Sequence, residues 1–375
     1  MRFRRFGKTE LRLSVFSLGM MRCLASAEIA QQTIERAIAL GINHIETALG
    51  YGNSELYLGA ALRRGVGVPR QQLYITTKIS PTPDAATMAR AIEQSLERLG
   101  LDYIDCLAIH GLNTWEHLAW VEAADGCMAA VRQAIATGHV RHVGFSTHAP
   151  LDIILRAIAT DQFSFINLHY YYFNQRNAPA IALAAQQDLG IFIISPADKG
   201  GLLYTPSATL QTLCHPLTPL EVGYRFLLSD RRIGTLSLGA ATPDELDASL
   251  AVADQDEPLT QAEAQILEHL EQQQAVLGRD RCSQCHACLP CPEEINIPEV
   301  LRLRNLAVAY DMTAYGSYRY GMFEKAGHWF PGRTGDRCTD CGDCLPRCPE
   351  TLDIPQLLRD SHARLGGTPR RRLWD

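Results

Sequence analysis

An α/β barrel of eight parallel strands followed by a smaller, mainly helical domain is the architecture that this 375-residue chain predicts. Three observations predict it. Apolar, β-branched runs recur eight times in the first two-thirds of the chain, segments of helical periodicity separate them, and eight of the twelve cysteines crowd into two short runs near the C-terminus.

The strand runs are Val15–Met20, Asn43–Thr47, Leu73–Ile79, Ile104–His110, Val140–Thr147, Phe163–Tyr171, Gly190–Pro196 and Ile233–Ala240. Among them Ala27–Leu40, Asp84–Leu99, Gly126–Thr137, Leu151–Ala159, Ala178–Leu189 and Pro219–Leu228 carry apolar residues at helical spacing. Strands that alternate with helices and are almost continuously apolar belong to a parallel sheet covered by helices. Eight such repeats in roughly 250 residues fit a (β/α)8 TIM barrel. The runner-up, a doubly wound open sheet, wants a Gly-x-Gly-x-x-Gly after its first strand, which Leu18-Gly19-Met20-Met21 lacks. Arg2–Phe6 and Leu11–Val15, split by Gly7-Lys8-Thr9-Glu10, predict a hairpin plugging the barrel floor. The acidic stretch ending at Pro258 marks a boundary, with the barrel over residues 1–257 and the second domain over 258–375. Just beyond it, Thr260 is placed to cap a helix carrying Ile266, Leu267 and Leu270.

The cysteine runs read Cys282-x2-Cys285-x2-Cys288-x2-Cys291-Pro292 and Cys338-x2-Cys341-x2-Cys344-x3-Cys348-Pro349. Thiolates three residues apart wrap one face of a cubane cluster, and the closing Cys-Pro turns the chain so that its Cys ligates the other cluster. The motif therefore assigns Cys282, Cys285, Cys288 and Cys348 to one [4Fe-4S] centre, and Cys338, Cys341, Cys344 and Cys291 to a second. Four-cysteine zinc sites also use C-x2-C pairs but separate them by a longer loop, which ranks zinc behind the clusters. Disulfides rank last, because Cys23, Cys106, Cys127 and Cys214 lie in or beside apolar stretches as small buried residues do. An internal repeat supports the pairing: Cys291-Pro-Glu-Glu-Ile-Asn-Ile-Pro298 matches Cys348-Pro-Glu-Thr-Leu-Asp-Ile-Pro355, each second proline suiting the start of a helix. Between the runs lie a helix-like Pro298–Tyr310 stretch and an aromatic-rich loop, Tyr315–Phe330. This resembles the helical ferredoxin type more than the compact small ferredoxins.

The formal charge of −6 treats the cysteines as neutral. Each cluster with its four thiolates brings about −2, so the holoprotein should lie near −10, which argues against nucleic acid as a partner. Local charge differs: Arg333, Arg337, Arg347, Arg359, Arg364 and Arg370 to Arg372 make the end of the chain basic. No apolar stretch approaches the eighteen or so residues of a membrane span, and the first residues lead into no signal-peptide core, which predicts a soluble, cytoplasmic protein with no membrane association.

Barrel active sites lie at the C-terminal ends of the strands. The second run ends at Glu46-Thr47-Ala48, with Tyr51-Gly52-Asn53-Ser54-Glu55 beyond it; the third carries Lys78, the fourth ends at His110 and the fifth at Ser146-Thr147-His148. Singly, a Tyr beside a Gly anchors a loop, a lone His is a satisfied core residue and Glu46 caps a helix. Lys78 is different, because a Lys on an apolar strand is seldom buried without a partner. Tyr170-Tyr171-Tyr172 reads as half core and half site wall. The Gly111–Gly126 loop with Trp115 and Trp120 reads as a lid or as packing.

Together these residues resemble the aldo-keto reductase family, whose barrel carries Asp-Thr-Ala-x-x-Tyr-Gly-x-Ser-Glu and then Lys and His on the next two strands. The cysteine-rich tail looks like the iron–sulfur branch of that family. The resemblance implies an oxidoreductase acting on a small organic carbonyl or alcohol. Tyr51 would be the general acid, Lys78 would lower its pKa by favouring phenolate, His110 would orient the carbonyl and Glu46 would pair with Lys78. It also implies a nicotinamide, NAD(P)(H), contacted by Ser146, Thr147, Asn167, Ser195, Lys199 and Gly239. The chain departs from the pattern in several places. Glu46 replaces Asp, Thr147 replaces the strand-five Asn, and Ile194 stands where a Tyr stacks on nicotinamide. Gly239 and Glu245 stand where basic residues grip a 2′-phosphate, so NADH is favoured over NADPH.

Hydride carries two electrons together, whereas each cubane passes one. A flavin could reconcile the two, although no flavin fingerprint is present. Three readings follow: clusters fed by a ferredoxin-like electron carrier and serving carbonyl chemistry, an ordinary nicotinamide-dependent reductase with structural clusters, and a non-catalytic electron-transfer or redox-sensing module. The Tyr51, Lys78 and His110 set argues against the third.

Overall fold

The computed structural model describes residues 1–367, the side chains of Ala248 and Ser249 apart; the basic Arg370–Arg372 stretch lies outside the described residues. The N-terminal runs form a hairpin, β1 (Phe3–Arg5) antiparallel to β2 (Arg12–Ser14). The eight apolar runs then give β3 (Phe16–Gly19), β4 (His44–Glu46), β5 (Tyr74–Ile79), β6 (Ile104–His110), β7 (Val140–Ser146), β8 (Phe165–Leu168), β9 (Gly190–Ile193) and β10 (Thr235–Leu238). All pair in parallel, each with the next, and β10 closes on β3. The barrel and its expected helices agree with the sequence reading. Asp84 caps Ala85–Leu99 through the Thr87 amide, and Gly100 ends that helix in the left-handed region. Helices Ser54–Arg64 and Trp115–Glu122 also form, the second where Trp115 and Trp120 allowed either a lid or a short packed helix.

The hairpin drives Phe6 into the barrel floor. Phe6 packs with Leu13, Cys106, Ala108, Phe165 and Phe192, and a Cβ on either Gly190 or Gly234 would lie 2.7 Å from its ring. Above this plug sits a polar layer. His44 Nδ1 meets Ser17 Oγ at 2.6 Å, His44 Nε2 meets Thr76 Oγ1 at 2.7 Å, and Ser17 Oγ meets Thr235 Oγ1 at 2.6 Å. Burial, followed by the nearby Lys78, pushes the His44 imidazole down to about 3. The unfolded chain therefore binds a proton that the fold excludes. The stability this represents is complete above the ordinary value near 6.5 and is lost as pH falls toward 3. Between pH 7.5 and 5 the loss should be about 2 kcal/mol. Denaturant titrations of wild type and His44→Gln at both pH values check this; a wild-type acid limb no steeper than the variant's would contradict it.

The chain divides into two compact units, residues 1–200 with 223–258, and residues 201–222 with 259 onward. The expected boundary was one cut at 257/258, yet the segment of residues 201–222 clusters with the tail. The reason lies in its packing: helix Ala208–Cys214 lies on helix Gln261–Gln273, and the Ser207 hydroxyl donates to the Tyr310 carbonyl at 2.6 Å.

Within the second unit Thr260 and Glu263 form a reciprocal capping box at the start of Gln261–Gln273. The duplicated segments fold alike. Asn296 caps Ile297–Tyr310 and Asp353 caps Ile354–Leu365, each with Pro in its first turn. Matched positions share left-handed backbone, Gln284 with Asp340, His286 with Gly342 and Glu294 with Thr351. The expected aromatic loop is partly helical, Thr313–Tyr320, because Tyr315 and Tyr320 bury on one face while Phe323 and Phe330 stack at 4.6 Å. Among the described residues no helix is long and apolar enough to cross a membrane.

Candidate active site and cluster domain

The ends of β4, β5 and β6 bring Glu46, Lys78 and His110 to one mouth of the barrel, with Tyr51 in the turn after β4. Lys78, 1% exposed, forms an ion pair with Glu46 and donates to the Thr47 carbonyl at 3.1 Å and to the Tyr51 hydroxyl at 3.2 Å. The His110 ring stands edge-on to Tyr51 at 5.4 Å. Ser54 and Glu55 of the same motif are structural: Ser54 Oγ meets Thr47 Oγ1 at 2.6 Å, and buried Glu55 accepts from Thr77 at 2.6 Å and pairs with Arg98 at 3.0 Å.

Glu46 is longer than the Asp expected there, and the barrel makes room for it. Its second oxygen accepts from Ser237 Oγ at 3.2 Å, and a Cβ on Gly19 would lie 2.5 Å from Ser237 Oγ and 3.2 Å from that oxygen. Glycine at position 19 is thus what leaves the longer carboxylate space to reach Lys78.

Burial pushes the Tyr51 phenol up. Burial, with the charge of Lys199 acting the same way, pushes Lys78 below its ordinary value, while the Glu46 carboxylate in contact favours its charged form. With its phenol pushed up by burial, Tyr51 carries its proton at neutral pH and can donate it.

The residues expected to hold a nicotinamide fall at the ends of β7 to β10. Ser146 Oγ accepts from the Gly111 amide at 3.1 Å, while the Thr147 hydroxyl donates to the Leu112 carbonyl at 2.8 Å and accepts from the Ala149 amide at 3.0 Å. Both side chains are engaged in fixing the loop after β6. Ser195, in left-handed backbone, accepts from the Lys199 amide in the turn after β9. Asn167 differs from all of these. It is fully buried at the end of β8, and neither its amide nitrogen nor its amide oxygen has a partner among the described residues. A buried amide lacking both a donor and an acceptor partner is costly unless a ligand supplies them, and a carboxamide supplies both. The residues present therefore fit a nicotinamide.

Arg22, which no sequence pattern singled out, stands at the loop after β10. It donates to the Gly239 carbonyl at 2.7 Å and holds Glu245 bidentately at 2.7 and 3.2 Å. Glu245 is therefore not an isolated negative charge as the sequence implied. Also missed was a chain across the ends of β7 to β9: Tyr171 donates to the Ile194 carbonyl at 2.5 Å and meets His169 Nδ1, and His169 Nε2 meets His148 Nδ1 at 3.1 Å. Tyr170 and Tyr172 instead stack on Phe226, and Trp115 is 56% exposed on its short helix.

In the second unit a small cavity is lined by Cys338, Cys341 and Cys344 together with Cys291 from the other run. Burial pushes the Cys344 thiol up, and Cys338, Cys341 and Cys291 add to it. Around Cys282, burial pushes the thiol up, Gln284 hydrogen bonds pull it down, and Cys285 and Cys348 push it up again. Cys291 thus lines the cavity of the other run, Cys348 acts on Cys282, and soft thiol donors gathered in this way fit an iron–sulfur cluster.

A parallel eight-stranded barrel carrying a tyrosine and a buried lysine at its mouth, joined to a cysteine-rich helical unit, describes an iron–sulfur oxidoreductase. Residues 17–272 match the aldo/keto reductase family and residues 281–352 match the 4Fe-4S dicluster domain. The chain belongs to the aldo/keto reductase family and carries a C-terminal 4Fe-4S dicluster domain, which sets the zinc reading aside. An aldo-keto reductase of Mycolicibacterium vanbaalenii is 32% identical over 251 residues, covering 64% of this chain and 83% of that protein. One of Mycobacterium avium is 30% identical over 224 residues, covering 58% and 74%. The holo form of an aldo-keto reductase from Bacillus halodurans superposes with a TM-score of 0.62 at 23% identity, over 72% of this chain and 95% of that one, a likeness of fold alone.

Proposed function

We propose that the barrel interconverts a small organic carbonyl compound and its alcohol, with Tyr51 exchanging the proton at the substrate oxygen and the clusters relaying electrons received from a ferredoxin-like carrier. The observation that carries this reading is the 3.2 Å contact between the Tyr51 hydroxyl and Lys78 Nζ, held from behind by Glu46. Tyr51 gives its proton as negative charge develops on the carbonyl oxygen. Lys78 steadies the phenolate left behind, and His110 donates to the same oxygen and fixes its direction. A nicotinamide, when bound, supplies or removes hydride at the carbonyl carbon, and Asn167 takes its carboxamide. Cys282, Cys285, Cys288 and Cys348 hold one cluster, and Cys338, Cys341, Cys344 and Cys291 the other, each storing a single electron. A reducing, cytoplasmic setting suits the four buried free thiols of Cys23, Cys106, Cys127 and Cys214. The unpartnered Asn167 amide also favours a second reading, in which a nicotinamide alone drives the barrel and the clusters are structural.

Anaerobic purification followed by a visible spectrum, iron and sulfide counts and cofactor extraction tests the proposal. Two cubanes are expected; bound flavin would supply the step that joins two single electrons into a hydride and would favour the relay, and absent iron would remove it. NADH should bind more tightly than NADPH, because a 2′-phosphate must displace Glu245 from Arg22 before it can be held. Glu245→Gln frees that guanidinium and should narrow the preference, measured as quenching of protein fluorescence by each nucleotide. Tighter NADPH binding by the wild type would contradict this assignment.

A further inference from the structure

The two halves of the cluster domain are duplicates in backbone but not in the side chain that follows each first cysteine. Gln284 and Asp340 occupy matched positions, two residues after Cys282 and Cys338, with φ of 61° and 56°. Gln284 Nε2 donates to Cys282 Sγ at 3.3 Å and to the Pro298 carbonyl at 2.9 Å, so the amide is fixed with its N–H on the sulfur. Asn305 Nδ2 donates to the Cys282 carbonyl at 3.0 Å and holds the same residue from its other side. At the matched place Asp340 offers a carboxylate, Oδ1 4.0 Å from Cys338 Sγ, with no N–H to give a ligating thiolate. That carboxylate is paired with Arg359 at 2.6 Å, and both partners are more than half exposed, so its charge is largely screened. The difference that survives solvent is the N–H···S bond.

We propose that Gln284 makes the [4Fe-4S] centre held through Cys282 the more easily reduced of the two, with the Cys338 centre at lower potential. The proposal rests on the ligand assignment given above. Reduction adds negative charge that spreads onto the cysteine sulfurs. A donor aimed at a sulfur stabilises the reduced form more than the oxidised one and raises the potential, whereas a nearby carboxylate does the reverse. A single electron given to the pair therefore rests on the Cys282 centre. Gln284 acts only through Cys282 and is a positioning residue.

The test is a reductive titration of the full-length holoprotein followed by electron paramagnetic resonance, with Cys285→Ser used to identify which signal belongs to the Cys282 centre. Gln284→Leu should lower the potential of that centre and leave the other in place. Asp340→Asn, a surface change that does not depend on Gln284→Leu assembling, gives Cys338 the side-chain N–H that Gln284 gives Cys282, and should raise the Cys338 centre and narrow the gap. Wild type in which the Cys338 centre reduces first, or potentials unmoved by both variants, would overturn the proposal. A wild-type chain assembling fewer than two cubanes would overturn the ligand assignment beneath it instead.

Discussion

Replacing Tyr51 by Phe should lower carbonyl turnover by about 10²–10⁴-fold, the usual cost of losing a positioned acid. The loss should fall on kcat, because the hydroxyl acts only as charge develops on the oxygen, and the aromatic ring that stands edge-on to His110 is kept. Both clusters and the binding of NADH should be nearly unchanged. Steady-state kinetics beside iron counts and nucleotide titration check this, and undiminished turnover would reduce the barrel to a scaffold. Lys78→Met should be nearly as damaging and harder to interpret, since it strands the buried Glu46 carboxylate without its partner.

Cys285→Ser should delete one of the two centres outright. Cys285 is exposed, so its replacement removes a ligand without opening a cavity in the packing, and what is lost is the binding energy of the cluster. Iron and sulfide should fall by about half, one of two paramagnetic signals should vanish, and hydrogen exchange should quicken around residues 281–301 and 348–358, which the shared cluster ties together. Exchange in β3 to β10 should not change, because the barrel's core is its own. Full iron content in the variant would show that Cys285 is not a ligand.

Much of this was legible in the sequence, for identifiable reasons. A strand buried on both faces reads as an apolar run whatever its partners, so all eight barrel strands stood out, and cluster ligation demands a cysteine spacing that little else imitates. Tyr51, Lys78 and His110 were legible because a family pattern fixes their order. What escaped notice depends on contacts between distant parts of the chain. That Gly19 yields room for Glu46, that Arg22 holds Glu245, and that residues 201–222 pack with the tail are facts of tertiary proximity with no local signal. That Lys78 is buried against Glu46, and that burial pushes the Tyr51 phenol up, are likewise visible only in the fold. Asn167 could have been suspected from a polar side chain inside an otherwise apolar strand, but its missing partners become visible only in the fold.

The central claim, that the clusters feed the barrel's chemistry, is tested most directly by anaerobic carbonyl reduction with a one-electron donor as the sole reductant and a catalytic amount of nicotinamide. The holoprotein should form alcohol with two electrons consumed per molecule, and both cluster removal and Tyr51→Phe should abolish it. No alcohol from the one-electron donor, together with full NADH-driven reduction by the cluster-free chain, would contradict the account and leave the clusters as structural elements.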